Sequence, residues 1–390
     1  MTVRIEKPAI NVREELADLR KPSGIAGEAM LRAETPQEQF NLIGAGRRNL
    51  IINGDMQVAQ RGTSVTGIGS NAGGPFTCDR FQHAQGSTGG SGVTTMEQST
   101  DGPDGFSSSL KLTVTTADTL SGGENLGIRY RIEGQNVQHL KFGSAAAESV
   151  TLSFWVKTSL TGTYGLELFS AGGTRDILKA YTVSTANTWE YKTLTFVGDT
   201  DTAIANDVNR GLELFFSLDA GPNDIVDPYT WGSTAAFRAP TGQVNFMATS
   251  GATWQITGVQ LELGDTATPF EHRSFGDELA RCQRYYQQID SGLIGTGANS
   301  GGIVFSTDFP VEMRVKPSVS LTDTDFRVGD MVSVGHTLTS LTVSISAYAT
   351  ARNYAMLLGG TASPSIVNYR TYLHEPVGSN QAGFAFDAEL

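Results

Sequence analysis

Acid chemistry is the first capability the residue types suggest. Glycosidic cleavage needs two carboxyl groups roughly 5–10 Å apart, one of them still protonated near neutral pH. Asp79, Asp219, Asp224, Asp227 and Glu262 are the candidates, and sequence spacing places no two of them across a cleft. Asp224 and Asp227 stand beside Asn223 and Pro228, where aspartate normally serves a turn. Nucleophilic chemistry has no better footing. The chain holds no G-x-S-x-G, and its five histidines (His83, His139, His272, His336, His374) are scattered. The glycine-rich run from Gly86 to Gly92 lacks the following Lys-Ser/Thr of a phosphate loop. No catalytic residue is expected, and no enzyme.

Metal and redox chemistry come next. Asp199 and Asp201, in GDTDTAIANDVNRG, open like a calcium loop, but Ala203 and Ile204 stand where a ligand and the glycine belong. A turn between strands is the simpler reading, with neither metal nor cofactor expected. Cys78 and Cys282 are the only cysteines, without CxxC or zinc spacing. Two reduced thiols are expected; a disulfide between them is the alternative.

Aromatic residues carry more information. Trp155 alternates with Ser153 and Lys157, on the face opposite the Leu152 set, so it lies on a covered second face or forms a platform for a sugar ring. Tyr229 and Trp231, in DPYTWGS, fall in a polar loop, where a large ring is unusual. Trp155, Tyr229 and Trp231 are the candidate ligand residues, with a glycan as ligand. Packing at a subunit interface is the competing use.

The elements that must position these residues are strands. Leu110, Leu112 and Val114 alternate, as do Ile128, Tyr130 and Ile132, then Val150, Leu152, Phe154 and Val156, then Leu212, Leu214, Phe216 and Leu218. Turn clusters such as Gly172-Gly173 and Gly221-Pro222-Asn223-Asp224 separate them. Many short strands at that spacing predict a β-sandwich or jelly roll over 50–275. Its last strand begins at Trp254. Trp254 and Ile256 are in one phase and Val259, Leu261 and Leu263 in the other, so a bulge is expected at Thr257-Gly258. A short linking helix is predicted over 276–289, with Leu279, Cys282 and Tyr286 on one stripe. Residues 290–390 then read as a small C-terminal β-sandwich containing FPVEMRVKPSVSL, LTVSISAYA and NYAMLLGG.

Residues 1–49 form an N-terminal helical arm. Asn11 with Glu14, and Thr35-Pro36 with Glu38, are two helix-start signals, and Pro22 breaks the chain between them. Val12, Leu16 and Leu19 make one apolar stripe, Phe40 and Ile43 another. Helices this short are marginal alone in water, so docking on another protein is expected, with folding back on the sandwich as the alternative.

Net charge is −12, which argues against a nucleic-acid partner. Charged residues make up 17% of the chain, and no run of about 18 apolar residues suggests membrane insertion. The opening residues do not resemble a secretory signal.

Three segments carry a family resemblance. QLELGDTATPFEHRS with the following RCQRYYQQ is similar to the closing segment of β-sandwich modules in bacteriophage tail fibres and related virion proteins, which end a jelly roll like that of carbohydrate-binding modules. GAGRRNLIINGDMQVAQRGTS and TCDRFQ resemble the start of that module. KPAINVREELADLRKPSGIAGEAMLRAETPQEQFNLIG resembles the virion-anchoring arm of marine phage fibres. The resemblance brackets residues 1–288 and is loose beyond. It implies a structural virion protein, assembled in the host cytoplasm: a homotrimeric tail fibre joined by its arm to a tail or adaptor protein and touching host-surface glycans, with the low charge and many Ser, Thr and Gly of residues 290–390 suiting a distal tip. A head fibre or capsid decoration protein is the alternative within that class, and a glycan-degrading depolymerase the alternative outside it. In a trimer, the Leu279, Cys282, Tyr286 stripe would suit the three-fold axis.

Overall fold

The alternating segments pair into two antiparallel sheets in a computed structural model that describes residues 48–390, except 71–73, 75, 87–89, 228, 233–238, 290–292, 299–301, 323–325, 331–334, 346–349, 352, 364–365, 367–369 and 376–382. Val12, Leu16, Leu19, Phe40 and Ile43 of the expected arm lie outside the described residues.

In chain order the strands are β1 (Ser64–Ile68), β2 (Phe81–Gly86), β3 (Val93–Ser99), β4 (Ser109–Thr116), β5 (Asn125–Glu133), β6 (Val150–Thr158) and β7 (Gly162–Ser170). Then follow β8 (Arg175–Val183), β9 (Glu190–Phe196), β10 (Arg210–Ala220), β11 (Ile225–Val226), β12 (Tyr229–Gly232), β13 (Ala239–Pro240) and β14 (Thr253–Leu263). Sheet I has the order β1-β3-β4-β14-β6-β9, and sheet II the order β12-β8-β7-β10-β5-β2. Their facing sides make the core. Leu110, Leu112, Leu152, Phe154, Trp254 and Leu261 of sheet I are fully buried with Ile128, Leu166, Leu168, Leu212, Leu214 and Phe216 of sheet II. Phe154 meets Phe216 edge to face, ring centroids 5.4 Å apart. Each such side chain contributes roughly 1.5–3 kcal/mol by leaving water, which is why the period-2 pattern dictates the sandwich.

The face change in β14 occurs at the expected place. Thr257 pairs with Trp155, but the next aligned pair is Gln260 with Ser153, so β14 carries one extra residue there. Gly258 takes φ +62°, and Ile256 and Val259 both reach the core.

The segment after β14 is clasped by its own polar residues. Glu262 accepts from the Thr268 amide at 2.8 Å and the Thr268 hydroxyl at 2.6 Å. Gln260 Oε1 accepts from the Glu271 amide at 2.8 Å. Arg273 donates to the carbonyls of Asn49 and Ile51 and to Glu278, tying the first described residues to the sandwich end. Ser274 caps α1 (Phe275–Gln283), accepting from the Asp277 amide, and Asp277 and Glu278 in the first turn suit the helix dipole.

The helix is shorter than predicted. It ends at Gln283, and Tyr286 opens strand β15 (Tyr286–Ile289). Cys282 and Tyr286 are buried by this chain's own residues, Leu279 is half-buried, and the Tyr286 ring lies 3.8 Å beneath the Arg61 guanidinium. The expected stripe is therefore split between a helix and a strand, with Cys282 and Tyr286 packed inward. The physical reason is pairing: residues 286–289 have partners in 384–387, and a ladder outcompetes another helical turn.

The C-terminal strands are β16 (Ile294–Gly297), β17 (Ile303–Asp308), β18 (Ser318–Leu321), β19 (Phe326–Asp330), β20 (Gly335–Ile345), β21 (Asn353–Ser363), β22 (Thr371–Glu375) and β23 (Phe384–Asp387). Strands β16, β17, β21, β20, β19 and β22 close into a barrel, and β15, β23 and β18 make a separate sheet. Strand β22 closes the ring by pairing with both β16 and β19, which leaves no open edge in that layer. A second core, including Ile303, Phe305, Met313, Tyr372, Phe384 and Phe386, fills this part. The chain is mainly β, with α1 the α-helix among the described residues.

Candidate functional site

Trp155 stands on the outer face of sheet I, because Phe154 and Val156 on either side of it point into the core. Its register partner on β9 is Tyr191. The two rings lie 5.3 Å apart at 53°, and Tyr191 is 44% exposed. On the other side is the bulge glycine. A Cβ on Gly258 would sit 2.8 Å from Phe106 Cζ and 3.1 Å from Trp155 Cδ1, so the missing side chain leaves room for both rings beside the bulge. Phe106 continues the row, 5.1 Å from Phe270 and 5.2 Å from His272. Tyr191, Trp155, Phe106, Phe270 and His272 thus form one run of rings across β9, β6, β14 and the clasped segment.

A polar edge borders this run. Lys157, two residues along the same face from Trp155, donates to Asp101 Oδ2, and Trp189 Nε1 donates to Asp101 Oδ1 at 3.3 Å. The Lys157 ammonium lies 5.5 Å from the Trp189 ring. Burial works to raise the Asp101 pKa, but the hydrogen bonds from Lys157 and Trp189 outweigh it and hold the carboxyl below its ordinary value. Half-buried ring faces beside fixed donors and acceptors suit a pyranose, whose C–H face stacks on a ring while its hydroxyls bond at the edge.

The other two candidates stand elsewhere and do different work. Tyr229 and Trp231 are on β12, the edge strand of sheet II. The Tyr229 hydroxyl donates to Asp176 Oδ2. Trp231 Nε1 donates to the Val197 carbonyl at 2.6 Å, and its ring packs edge-on against Phe142, centroids 5.6 Å apart. Both residues pin the rim of the sandwich; they do not join Trp155 in one site.

The acidic candidates are likewise dispersed. Asp79 is fully buried and accepts from the Gln60 amide at 3.0 Å and Gln60 Nε2 at 2.5 Å. Asp219, on β10, accepts from the Met247 amide at 2.8 Å. Glu262 holds the Thr268 turn. Asp224 is half-buried in a turn, its amide bonded to the Gly221 carbonyl, and Asp227 is exposed. In the calcium-like loop, Arg175 Nε bonds both oxygens of Asp199 at 3.1 Å and its Nη2 reaches Asp201 at 2.9 Å, so a guanidinium answers those charges. Cys78 and Cys282 are both free and buried.

Sequence reasoning missed Tyr191, Trp189, Phe106, Phe270 and His272. The inward phase of Leu194 and Phe196 puts Tyr191 outward by simple alternation, so that one was findable. Phe106 and Phe270 lie in loops, where no period reports on direction.

No family model matches the chain, and no curated protein matches it. Among the solved structures similar over part or most of it are three of differing extent. One is the enzymatically active domain of tailspike protein 4 of bacteriophage CBA120, at 15% identity over 55% of this chain and 21% of that one, with TM-score 0.29. The match thus spans about a fifth of that protein's length. Another is a putative sugar binding protein from Bacteroides thetaiotaomicron, at 14% identity over 55% of this chain and all of that one, with TM-score 0.30. The third is a tandem of carbohydrate-binding modules from Paenibacillus barcinonensis, at 9% identity over 88% of this chain and 98% of that one, with TM-score 0.29. At TM-scores below 0.5 these likenesses carry no argument about function.

Proposed function

We propose that this chain is a non-enzymatic structural protein of a bacteriophage tail fibre. It is a homotrimer joined to the virion through residues 1–49, and it contacts host-surface glycans through the ring face around Trp155. The observation that carries the glycan reading is the run of rings from Tyr191 to His272, built on rigid strands and bordered by Lys157, Asp101 and Trp189. The virion reading rests on the three resembling sequence segments.

The test is direct. Trp155→Ala and Tyr191→Ala are compared with the unaltered chain on an array of bacterial surface polysaccharides and neutral glucans. Each removed stacking ring is worth about 1–1.5 kcal/mol, so binding weakens about tenfold while the melting temperature stays close to the original. Wild-type binding by both variants would place the glycan site elsewhere. Light scattering gives a mass near three chains; a monomer at micromolar concentration removes the fibre reading.

A further inference from the structure

The outer face of sheet II carries three arginines around a single glutamate. Arg129 and Arg131 stand two residues apart on β5, hence on one face. Opposite them on β10 are Phe215 and Glu213. Arg131 Nε reaches Glu213 Oε2 at 2.6 Å, and Arg210 Nη1 reaches the same oxygen at 2.9 Å. Arg131 also donates to the Leu390 main-chain oxygen, and the Arg210 guanidinium lies 4.5 Å over the Phe169 ring. Glu167 is the register partner of Phe215 on β7, and it is engaged in interactions of its own.

Among the described residues, Arg129 is the member without a counter-ion. Its Nε donates to Gln82 Oε1 at 2.5 Å, and Gln82 is held in turn by its Nε2 bond to the Gly74 carbonyl at 2.8 Å. Among the described residues, the two terminal nitrogens of Arg129 make no hydrogen bond and no ion pair. Burial, with repulsion from Arg131 and Arg210 that Glu213 only partly offsets, pushes its pKa down to about 10. The group is still charged at neutral pH. The fold therefore keeps a half-buried cation beside two like charges and gives it one amide oxygen in return. A guanidinium whose stem is fixed through Nε and whose outer edge is free presents two parallel donors, the geometry that grips a carboxylate or sulfate.

We propose that Arg129, flanked by Arg131 and Arg210, is a binding site for the anionic group of an acidic polysaccharide, a uronate carboxylate or a sulfate ester. The site is on the outer face of sheet II and the ring face is on that of sheet I, so this inference does not depend on the reading of Trp155. With a net charge of −12 the chain repels polyanions at long range. The attraction is therefore local and falls as salt screens it.

The experiment measures retention of the full chain by polygalacturonate, dextran sulfate and uncharged dextran at low ionic strength. The unaltered chain binds at least one charged polymer more tightly than it binds dextran. Arg129→Gln lowers that binding at least tenfold, Arg129→Lys retains an intermediate level, and neither variant changes retention by uncharged dextran. The melting temperature of Arg129→Gln is equal to or above that of the unaltered chain, because repulsion is relieved; this separates lost binding from lost fold. Retention by polygalacturonate alone assigns the carboxylate, and by dextran sulfate alone the ester. Failure of both charged polymers to bind, binding of free inorganic sulfate without either polymer, or wild-type binding by Arg129→Gln overturns the proposal.

Discussion

Glu133 receives Arg284 Nε and Nη2 at 2.8 Å each, a two-point pair between the last residue of β5 and the residue after α1. The Tyr285 hydroxyl adds a third bond at 2.5 Å. Above the Tyr285 ring, at 3.4 Å, lies the guanidinium of Arg80, which pairs with Glu389. Arg314 bonds the carbonyls of Val208, Ala388 and Glu389, at 3.0, 2.7 and 2.9 Å. The sandwich and the C-terminal strands are thus joined by buried charge rather than by a greasy seam.

That arrangement predicts a large effect from one substitution. Glu133 is fully buried, and its removal strands the Arg284 cation. Glu133→Ala is expected to cost about 3–5 kcal/mol, read as a lower denaturation midpoint. A loss under about 1 kcal/mol would show that the pair contributes nothing net. Burial tends to raise the Glu133 pKa, but the bonds from Arg284 and Tyr285 prevail and lower it below 4.5. Its contribution is therefore complete above that pH and fades as pH falls through the lower folded value.

Asp219 works in the opposite direction. Burial drives its pKa up to about 7, against hydrogen bonds from the Met247 and Ala220 amides. Between its ordinary value of 3.8 and about 7 the folded chain holds a proton that the unfolded chain has released. Stability from this group therefore falls as pH rises through that window, by about 1.4 kcal/mol per pH unit. Asp219→Asn keeps an acceptor for Met247 and removes the titration. Denaturant midpoints from pH 4 to pH 8 should show a flatter profile for the variant, and superimposable profiles would refute this account.

Gly258 joins the fold to the ring face. At φ +62° an added Cβ is strained and also meets Phe106. Gly258→Ala is expected to cost about 1–3 kcal/mol, read as a lower denaturation midpoint, and to weaken glycan retention. A variant with unchanged stability and binding would mean that neither the bulge conformation nor the ring contact matters.

For the arm, burying Val12, Leu16 and Leu19 in a partner's groove supplies roughly 1.5–3 kcal/mol each. Leu16→Asp is expected to abolish incorporation into virions while the purified oligomer melts normally. Particles carrying a chain without residues 1–40 at normal copy number would show that attachment runs through the sandwich instead.

Sequence by itself determined the strands, the direction of Trp155 and the bulge in β14. Each depends on a period of two, and alternation between Phe154, Trp155 and Val156, or between Ile256 and Val259, is written in neighbouring residues. The three aromatic nominees were legible as rings but not as a site. Whether Trp231 Nε1 finds the Val197 carbonyl, or Tyr229 finds Asp176, depends on how strands far apart in the chain come together. The same holds for Tyr286, whose helical spacing was overruled by a strand partner about a hundred residues away. Tertiary structure alone decided the closure of the C-terminal barrel, the placing of Phe106 and Trp155 beside Gly258, and the gathering of Arg129, Arg131 and Arg210 around Glu213. Register between distant strands sets which charges and rings become neighbours, and no local pattern encodes it.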